Sequence, residues 1–184
     1  MCKKRLNMTK SDNLARIIIG CKAGSAESFS QLVDIYANRF YGYFYRLTGD
    51  KVVSDDLLSE LFVKLVEKIS SYKGGSFESW LFKIASNIFH DYLRGKQRRR
   101  KLLEVRKRQL ESRITEVKKS DSERVDKLQI QLEKLDTDTR ELVMLRFYSQ
   151  LSLKEVAKIR SEPIGTTLSK LHRGLKRLRE LMER

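Results

Sequence analysis

The sequence predicts an all-α fold of two small helical domains joined by a basic linker, the second domain being a helix-turn-helix. Three observations predict it. The chain has a single proline, its apolar residues recur every three or four positions, and much of its positive charge lies in one internal segment. With 184 residues, 40% of them hydrophobic, the chain is long enough to form packed cores. We place the domains at 1–94 and 129–184 and the linker at 95–128.

Two amphipathic helices are predicted at the start of the first domain. The stretch SAESFSQLVDIYANRFYGYFYRLTGD has a Ser N-cap and ends at Gly49. Its apolar stripe comprises Phe29, Leu32, Val33, Tyr36, Phe40 and Phe44, which we expect in the core. In VSDDLLSELFVKLVEKI the buried face comprises Leu57, Leu58, Leu61, Phe62, Leu65, Val66 and Ile69, and Asp56, Glu60, Val63 and Glu67 lie opposite. An acidic face would repel DNA and suits a protein partner; an ordinary solvated surface is the alternative.

The stretch SFESWLFKIASNIFHDYLR predicts a helix with two distinct faces. One face is apolar and comprises Phe77, Leu81, Ile84, Ile88 and Tyr92; the other comprises Lys83, Asn87, His90 and Arg94, with Trp80 at the edge. Cations, an amide and a bordering aromatic ring can hold, pair and stack a single nucleic-acid strand. The preceding YKGGS loop has flexible backbone that could close over an extruded base. The alternative is a solvated helix face with Trp80 in the core.

A basic segment follows this helix. Between Arg94 and Lys119 there are twelve Lys or Arg residues and three acids. Apolar residues are sparse and like charges come in blocks, which favours an exposed tether or a loose helix over a core element.

The second domain contains two short helices, Leu153 to Ile159 and Thr166 to Leu181, separated by RSEPIG. A short helix, a tight turn and a longer basic helix are typical of the helix-turn-helix, whose second helix enters the DNA major groove. Polar residues that could contact bases or phosphates occupy the first turns of that helix: Thr166, Thr167, Ser169, Lys170 and Arg173. Lys176, Arg177 and Arg179 face the DNA backbone or solvent.

Composition narrows the function classes. The net charge of +15 points to a polyanionic partner, with nucleic acid ahead of an anionic membrane. The two Cys and two His residues form no zinc-ligand spacing, no phosphate-binding glycine motif is present, and an enzyme is therefore disfavoured. No apolar stretch approaches a membrane span or a signal peptide, so we expect a cytoplasmic protein without membrane insertion.

Five motifs in register resemble the extracytoplasmic-function sigma factors, minimal members of the main bacterial sigma family. The motifs are RLTGD at 46–50, DDLLSELFVKL at 55–65, SFESWLFKIASNIFHDYLR at 76–94, LSLKEVA at 151–157 and PIGTTLSKLHRGLKRL at 163–178. The resemblance covers the chain from about Ala26 to Arg179. It implies an initiation factor without cofactors or chemistry of its own, which binds core RNA polymerase, recognises the −10 and −35 promoter boxes and helps to melt the DNA.

The resemblance also implies partners and site residues. The partners are the clamp helices of the largest polymerase subunit, the flap of the second-largest subunit, promoter DNA and an anti-sigma protein. The residues implied to bind polymerase are Asp56, Ser59, Glu60, Val63 and Glu67. Those implied to bind the −10 strand are Tyr72, Lys73, Ser76, Phe77, Trp80, Lys83, Asn87, His90 and Arg94. Those implied to bind the −35 box are Thr166, Thr167, Leu168, Ser169, Lys170, His172, Arg173 and Arg177.

Three positions depart from the family pattern, and one other function stays open. Ser59 stands where a Gln is common, Leu168 where a basic residue is frequent, and Ser161 where the turn often has a Gly. The family's −35 sequence preference therefore does not transfer to this chain. The alternative function is a stand-alone helix-turn-helix regulator, which would bind duplex DNA specifically without polymerase.

Overall fold

A computed structural model describes residues 10–109 and 127–183 of the chain. Within these residues all regular structure is helical, which confirms the predicted all-α class. None of the helices in the described ranges is long and apolar enough to cross a membrane. The helices are α1 (Lys10–Lys22), α2 (Ala26–Thr48), α3 (Lys51–Lys68), α4 (Phe77–Gln109), α5 (Lys127–Glu133), α6 (Thr137–Val143), α7 (Leu153–Arg160) and α8 (Ile164–Met182).

The first three helices begin and end where local chemistry dictates. The Ser25 hydroxyl accepts a hydrogen bond from the Ser28 N–H and caps α2, while the Asp50 carboxylate accepts one from Val53 and caps α3. Between them Gly49 has φ 68°, a left-handed conformation that glycine adopts without strain. This single residue ends α2 and lets α3 fold back against it, with Phe40, Phe44, Leu61 and Leu65 fully buried between helices.

A short 3₁₀ turn (Ile69–Ser71) and a glycine loop precede α4. Gly74 and Gly75 have φ values of 103° and 90°, so the loop reverses direction where a side chain would be strained. The helix α4 then runs without interruption from the first domain into the basic segment. Phe77, Leu81, Ile84 and Ile88 are buried, as predicted, and Tyr92 is half-buried.

In the second domain α6 continues into a π-helical turn, Met144–Tyr148, and α7 and α8 form the predicted helix-turn-helix. Ser152 and Glu155 form a reciprocal capping box at the start of α7. Ser161 ends α7 with φ 55°, the left-handed conformation for which glycine is the usual residue. The turn thus forms with Ser in place of Gly.

The two domains pack against each other. Their buried residues form one continuous apolar cluster in which Leu132, Leu142 and Leu145 join the core of α2 and α4. Arg140 donates to the Leu47 carbonyl at 2.7 Å, and Arg39 donates to the Ser149 carbonyl at 2.8 Å. The chain is therefore a closed pair of domains, an arrangement that the sequence did not predict.

Two core predictions are wrong, and one boundary prediction stays untested. Val33 and Val66 were expected on buried stripes but are 37% and 54% exposed, since each lies at the margin of its helix's apolar face. The predicted linker at 95–128 includes residues 110–126, which lie outside the described residues. Its first part, from Gly95 to Gln109, is the continuation of α4, and α5 begins at Lys127. The division into 1–94, 95–128 and 129–184 stays a prediction.

Candidate polymerase and nucleic-acid interfaces

The outer face of α3 is open to solvent. All five residues predicted to bind polymerase are exposed and lie on this face: Asp56, Ser59, Glu60, Val63 and Glu67. Lys64 beside them donates to the Glu67 carboxylate at 3.0 Å, and this bond raises the pKa of the lysine. The face thus combines carboxylates with an exposed Val63 side chain and is suited to a protein partner with cations and apolar side chains.

An aromatic cluster forms the base of the glycine loop. The rings of Tyr72, Phe77 and Trp80 lie 5.2 to 5.5 Å apart, and the Tyr72 hydroxyl donates to the Gly75 carbonyl at 2.6 Å. Tyr72 and Phe77 are buried, so both support Trp80 rather than face a ligand. Trp80 itself is half-buried at the edge, as predicted. Lys22 of α1 donates to the Tyr72 carbonyl at 2.5 Å and ties the loop to the first helix.

The polar face of α4 gathers the predicted side chains but does not leave all of them free. Asn87 and Arg94 are exposed, and Arg94 bonds Asp91 one turn earlier. The Lys83 ammonium donates to the carbonyl of Ile159 in α7, and the His90 ring bonds the Glu141 carboxylate at 3.0 Å. Lys73 and Ser76, in the loop, are exposed. The second domain therefore occupies two of the predicted strand contacts.

Glu141 is the centre of the contact between the domains. It is fully buried and accepts hydrogen bonds from Ser86 at 2.7 Å, from Arg160 at 3.1 Å and from Tyr43 at 3.5 Å. Burial and the Glu141 charge raise the pKa of Tyr43 well above its usual range. The bond to Glu141 raises the pKa of His90. One carboxylate thus collects donors from α2, α4 and α7.

Sequence reasoning missed Glu141, Ser86 and Arg39, although Glu141 had a detectable signal. It lies three and four residues before Met144 and Leu145, on the buried stripe of its own helix. A carboxylate at such a position needs partners. The sequence does not say that the partners come from another domain.

The helix-turn-helix presents an open surface on α8. Six of the predicted −35 residues are exposed: Thr166, Leu168, Ser169, His172, Arg173 and Arg177. The prediction of Thr167 as a DNA contact needs correction, because this residue is fully buried and its hydroxyl donates to the Pro163 carbonyl at 3.2 Å. Lys170 is half-buried and donates to Glu162 at 2.8 Å, which raises the pKa of the lysine. Arg173 is therefore more accessible than Lys170, the other cation predicted in the first turns of α8.

Comparison with known proteins decides the family. Residues 32–99 match the family description Sigma-70 region 2, and residues 131–180 match Sigma-70, region 4. The chain is 30% identical over 170 residues to the ECF RNA polymerase sigma factor SigW of Bacillus subtilis, an alignment that covers 86% of this chain and 91% of SigW. The chain belongs to the ECF sigma factors.

Other relatives agree with this family. The ECF sigma factor SigE of Mycolicibacterium smegmatis is 33% identical over 158 residues, which cover 84% of this sigma factor and 62% of SigE. In fold, the sigma factor RpoE of Bartonella quintana, in complex with the anti-sigma factor NepR, is similar with a TM-score of 0.69 at 23% identity, covering 86% of this chain and 98% of RpoE. As an ECF sigma factor, the chain is a transcription initiation factor and not an enzyme; it directs RNA polymerase to promoters. The stand-alone regulator is thereby set aside.

The two matched regions contain the three candidate faces of this sigma factor. The region 2 match includes α3 and the polar face of α4, and the region 4 match includes the helix-turn-helix. Among the described residues no group of His, Cys, Asp or Glu could hold a metal ion. Cys21 is buried, which raises the pKa of its thiol.

Proposed function

We propose that this sigma factor docks on core polymerase through the outer face of α3. The support is the exposure of Asp56, Glu60 and Val63 together on one acidic face of a strongly basic protein. Such a face repels DNA and attracts a basic protein surface. The clamp helices of the largest polymerase subunit are the expected partner, and the flap of the second-largest subunit is expected to receive the second domain. Polymerase is cytoplasmic in bacteria, so the protein is assigned to the cytoplasm.

The polar face of α4 reads the unpaired −10 strand. The observation that carries this assignment is the exposed Asn87 amide, on the same helix face as Lys83 and Arg94 and near the half-buried Trp80. An amide can pair with one base edge, whereas a cation holds a phosphate and carries no sequence information. Trp80, supported by the buried Tyr72 and Phe77 rings, offers a half-buried aromatic ring on which a base can stack.

The exposed surface of α8 reads the −35 duplex. Thr166, Ser169 and Arg173 lie on its accessible side in the first turns, where a recognition helix meets base edges. Leu168, which is 51% exposed, offers an apolar contact, for example to a thymine methyl group. Thr167 has no part in this surface because it is buried.

An anti-sigma protein is a further proposed partner. The support is that RpoE, which this chain resembles in fold, was solved in complex with the anti-sigma factor NepR.

The deciding experiment compares Asn87→Ala with Lys83→Ala in the reconstituted holoenzyme. Promoters selected from a library with a randomised −10 box are assayed by run-off transcription and permanganate footprinting. Asn87→Ala should keep polymerase binding but blur the base preference and reduce melting. Lys83→Ala should lower the affinity for all −10 sequences about equally. If Asn87→Ala keeps the wild-type preference and melting, the assignment of this face is wrong.

A further inference from the structure

The glycine loop between the 3₁₀ turn and α4, residues 72–76, is held at its ends and not along its length. Gly74 and Gly75 have φ values of 103° and 90°, and a Cβ atom on either would have no neighbour within 4 Å among the described residues. The exposed tip is therefore not fixed by packing. Its position depends on Tyr72, which enters the loop, and on Ser76, whose hydroxyl accepts a backbone N–H of the first turn of α4 at 3.1 Å.

Lys22 of α1 holds the entrance of the loop. Its ammonium donates to the Tyr72 carbonyl at 2.5 Å and lies 5.4 Å from the centroid of the Tyr72 ring. This carbonyl belongs to the planar peptide that joins Tyr72 to Lys73, so its direction sets the path of the chain into the loop. Tyr72 also donates its hydroxyl to the Gly75 carbonyl at 2.6 Å. One lysine thus holds the residue that ties the two sides of the loop together.

The helix that carries Lys22 is anchored in the first domain. Ile17 and Cys21 are buried in the core. Gly20 lies so close to α2 that a Cβ atom there would meet the Ser28 hydroxyl at 2.1 Å. A charged donor on a fixed helix therefore bonds a loop whose tip has no packing partners, and in such an arrangement one hydrogen bond can decide where the loop lies.

The glycine loop adjoins the ring that is proposed to receive a base. The Tyr72 ring is 5.4 Å from that of Trp80, and Phe77 packs against both. Lys73 and Ser76 of the loop are exposed beside this cluster. A displacement of Tyr72 would shift the loop backbone and the Trp80 ring together, and a misplacement of about 1 Å is enough to weaken recognition substantially.

We propose that Lys22 is a positioning residue for base recognition in the −10 box. It holds the Tyr72 carbonyl so that the glycine loop and the Trp80 ring receive an extruded base in one geometry. This role rests on the proposed function of the α4 face and its loop as readers of the unpaired strand. It extends the recognition machinery to α1, a helix that lies outside the region 2 match at 32–99.

Lys22→Met tests this role, because it removes the charged donor and keeps an unbranched side chain on α1. Lys22→Arg keeps a charged donor. Lys51→Met is the matched control, since it is the same loss of charge at an exposed lysine of α3. Each variant is reconstituted with core polymerase and assayed by run-off transcription on the library with a randomised −10 box.

The expected result is a change in base preference and not in overall binding. At the most selective −10 position, Lys22→Met should reduce the preference for the best base about fivefold, while the affinity of the holoenzyme for promoter DNA changes less than about twofold. Lys22→Arg should restore most of the preference, and Lys51→Met should match the wild type.

Other roles of Lys22 would give different results. An equal loss of affinity for all −10 sequences in Lys22→Met would make Lys22 a phosphate contact and overturn the positioning role. An unchanged base preference would also overturn it, and a lower unfolding temperature without a change in preference would show a purely structural role. Asn87→Ala decides the proposed function separately: if that variant blurs the preference and Lys22→Met does not, only the positioning role is wrong.

Trp80, the single tryptophan of the chain, reports the geometry of the loop without polymerase or DNA. In the free protein, Lys22→Met should make Trp80 fluorescence easier to quench with acrylamide and should speed hydrogen exchange of the loop amides about tenfold. Lys22→Arg and Lys51→Met should stay close to the wild type in both measurements. If quenching and exchange are unchanged in Lys22→Met, Lys22 does not position the loop and the proposal is overturned.

Discussion

The two helical faces assigned to DNA differ in what covers them. The α8 face, with Thr166, Ser169 and Arg173, is exposed, whereas Lys83 and His90 on the α4 face are bonded to the other domain. Both faces follow from the same helical periodicity. The difference teaches that periodicity identifies the residues that share a face, but a partner distant in sequence decides whether that face is free.

The largest effect of all is expected on polymerase binding, from substitutions on the outer face of α3. This face is open to solvent, like that of α8. Asp56→Lys combined with Glu60→Lys should lower the affinity for core polymerase at least about a hundredfold, because charges that attract the partner become charges that repel it. The helix content and the thermal unfolding temperature of the variant should stay nearly unchanged, since both residues are exposed. The control is Glu27→Lys with Asp34→Lys, the same charge change on the exposed side of α2. Unchanged affinity in the α3 variant would mean that another face docks.

The largest effect on stability is expected from a substitution at the contact that covers the α4 face. Glu141→Gln removes the charge from a fully buried side chain and weakens its bonds to Ser86, His90 and Arg160. We expect a loss of about 2–3 kcal/mol in the free energy of unfolding, measured by denaturant titration. Glu180→Gln, on an exposed pair with Arg177, should change it by less than about 0.5 kcal/mol. Equal effects of the two variants would contradict the central role of Glu141.

On the open α8 face, loss of Arg173 and loss of Lys170 should differ in their effect on DNA binding. Arg173 is exposed, whereas Lys170 would have to share or break its 2.8 Å bond to Glu162 to reach DNA. In the holoenzyme, Arg173→Ala should weaken binding of a −35 duplex by about 1–3 kcal/mol, and Lys170→Ala by less. Arg179→Ala, an equal loss of charge six residues further along α8, is the control in the same anisotropy titration. A larger effect at Lys170 would reverse this ranking.

The smallest expected effect is a pH dependence of the folding stability, caused by His90 on the covered α4 face. His90 faces Glu141 of α6, Arg160 of α7 and Arg94 of its own helix, and the hydrogen bond to Glu141 raises its pKa against burial and the two arginines. The protonated ring therefore stabilises the fold below the ordinary histidine pKa of about 6.5, and this contribution is lost as the pH rises through the raised value. Since His90 is 42% exposed, we expect no more than about 0.5 kcal/mol.

The comparison of wild type with His90→Gln isolates this pH dependence. The unfolding temperature of the wild type should exceed that of the variant at pH 5.5, and the difference should shrink by pH 8.5. A constant difference across this range would show that protonation of His90 plays no part.

Local chemistry made most of the fold predictable. Ser25 and Gly49 mark the ends of α2 in the sequence as clearly as in the structure, and the acidic side of α3 faces solvent as its spacing predicts. The sequence predictions failed where tertiary contacts decide whether a residue is buried or which partner it has. Thr167 is buried although its neighbours are exposed, because it packs within the helix-turn-helix. Ser86 and Glu141 are 55 residues apart along the chain, so no local pattern could pair them.

The strand surface and the start of the basic segment lie on one uninterrupted helix, from Phe77 to Gln109, and therefore move together as a rigid rod. An extended chain from Gly95 to Gln109 could point anywhere and reach about 50 Å, whereas the helix advances only about 22 Å and in one fixed direction. Any tilt of α4 is therefore multiplied at Gln109. Inserting one residue after Gly95 would rotate everything beyond it by about 100° around the helix axis, turning Arg98, Arg99 and Arg100 to a different side relative to the strand surface.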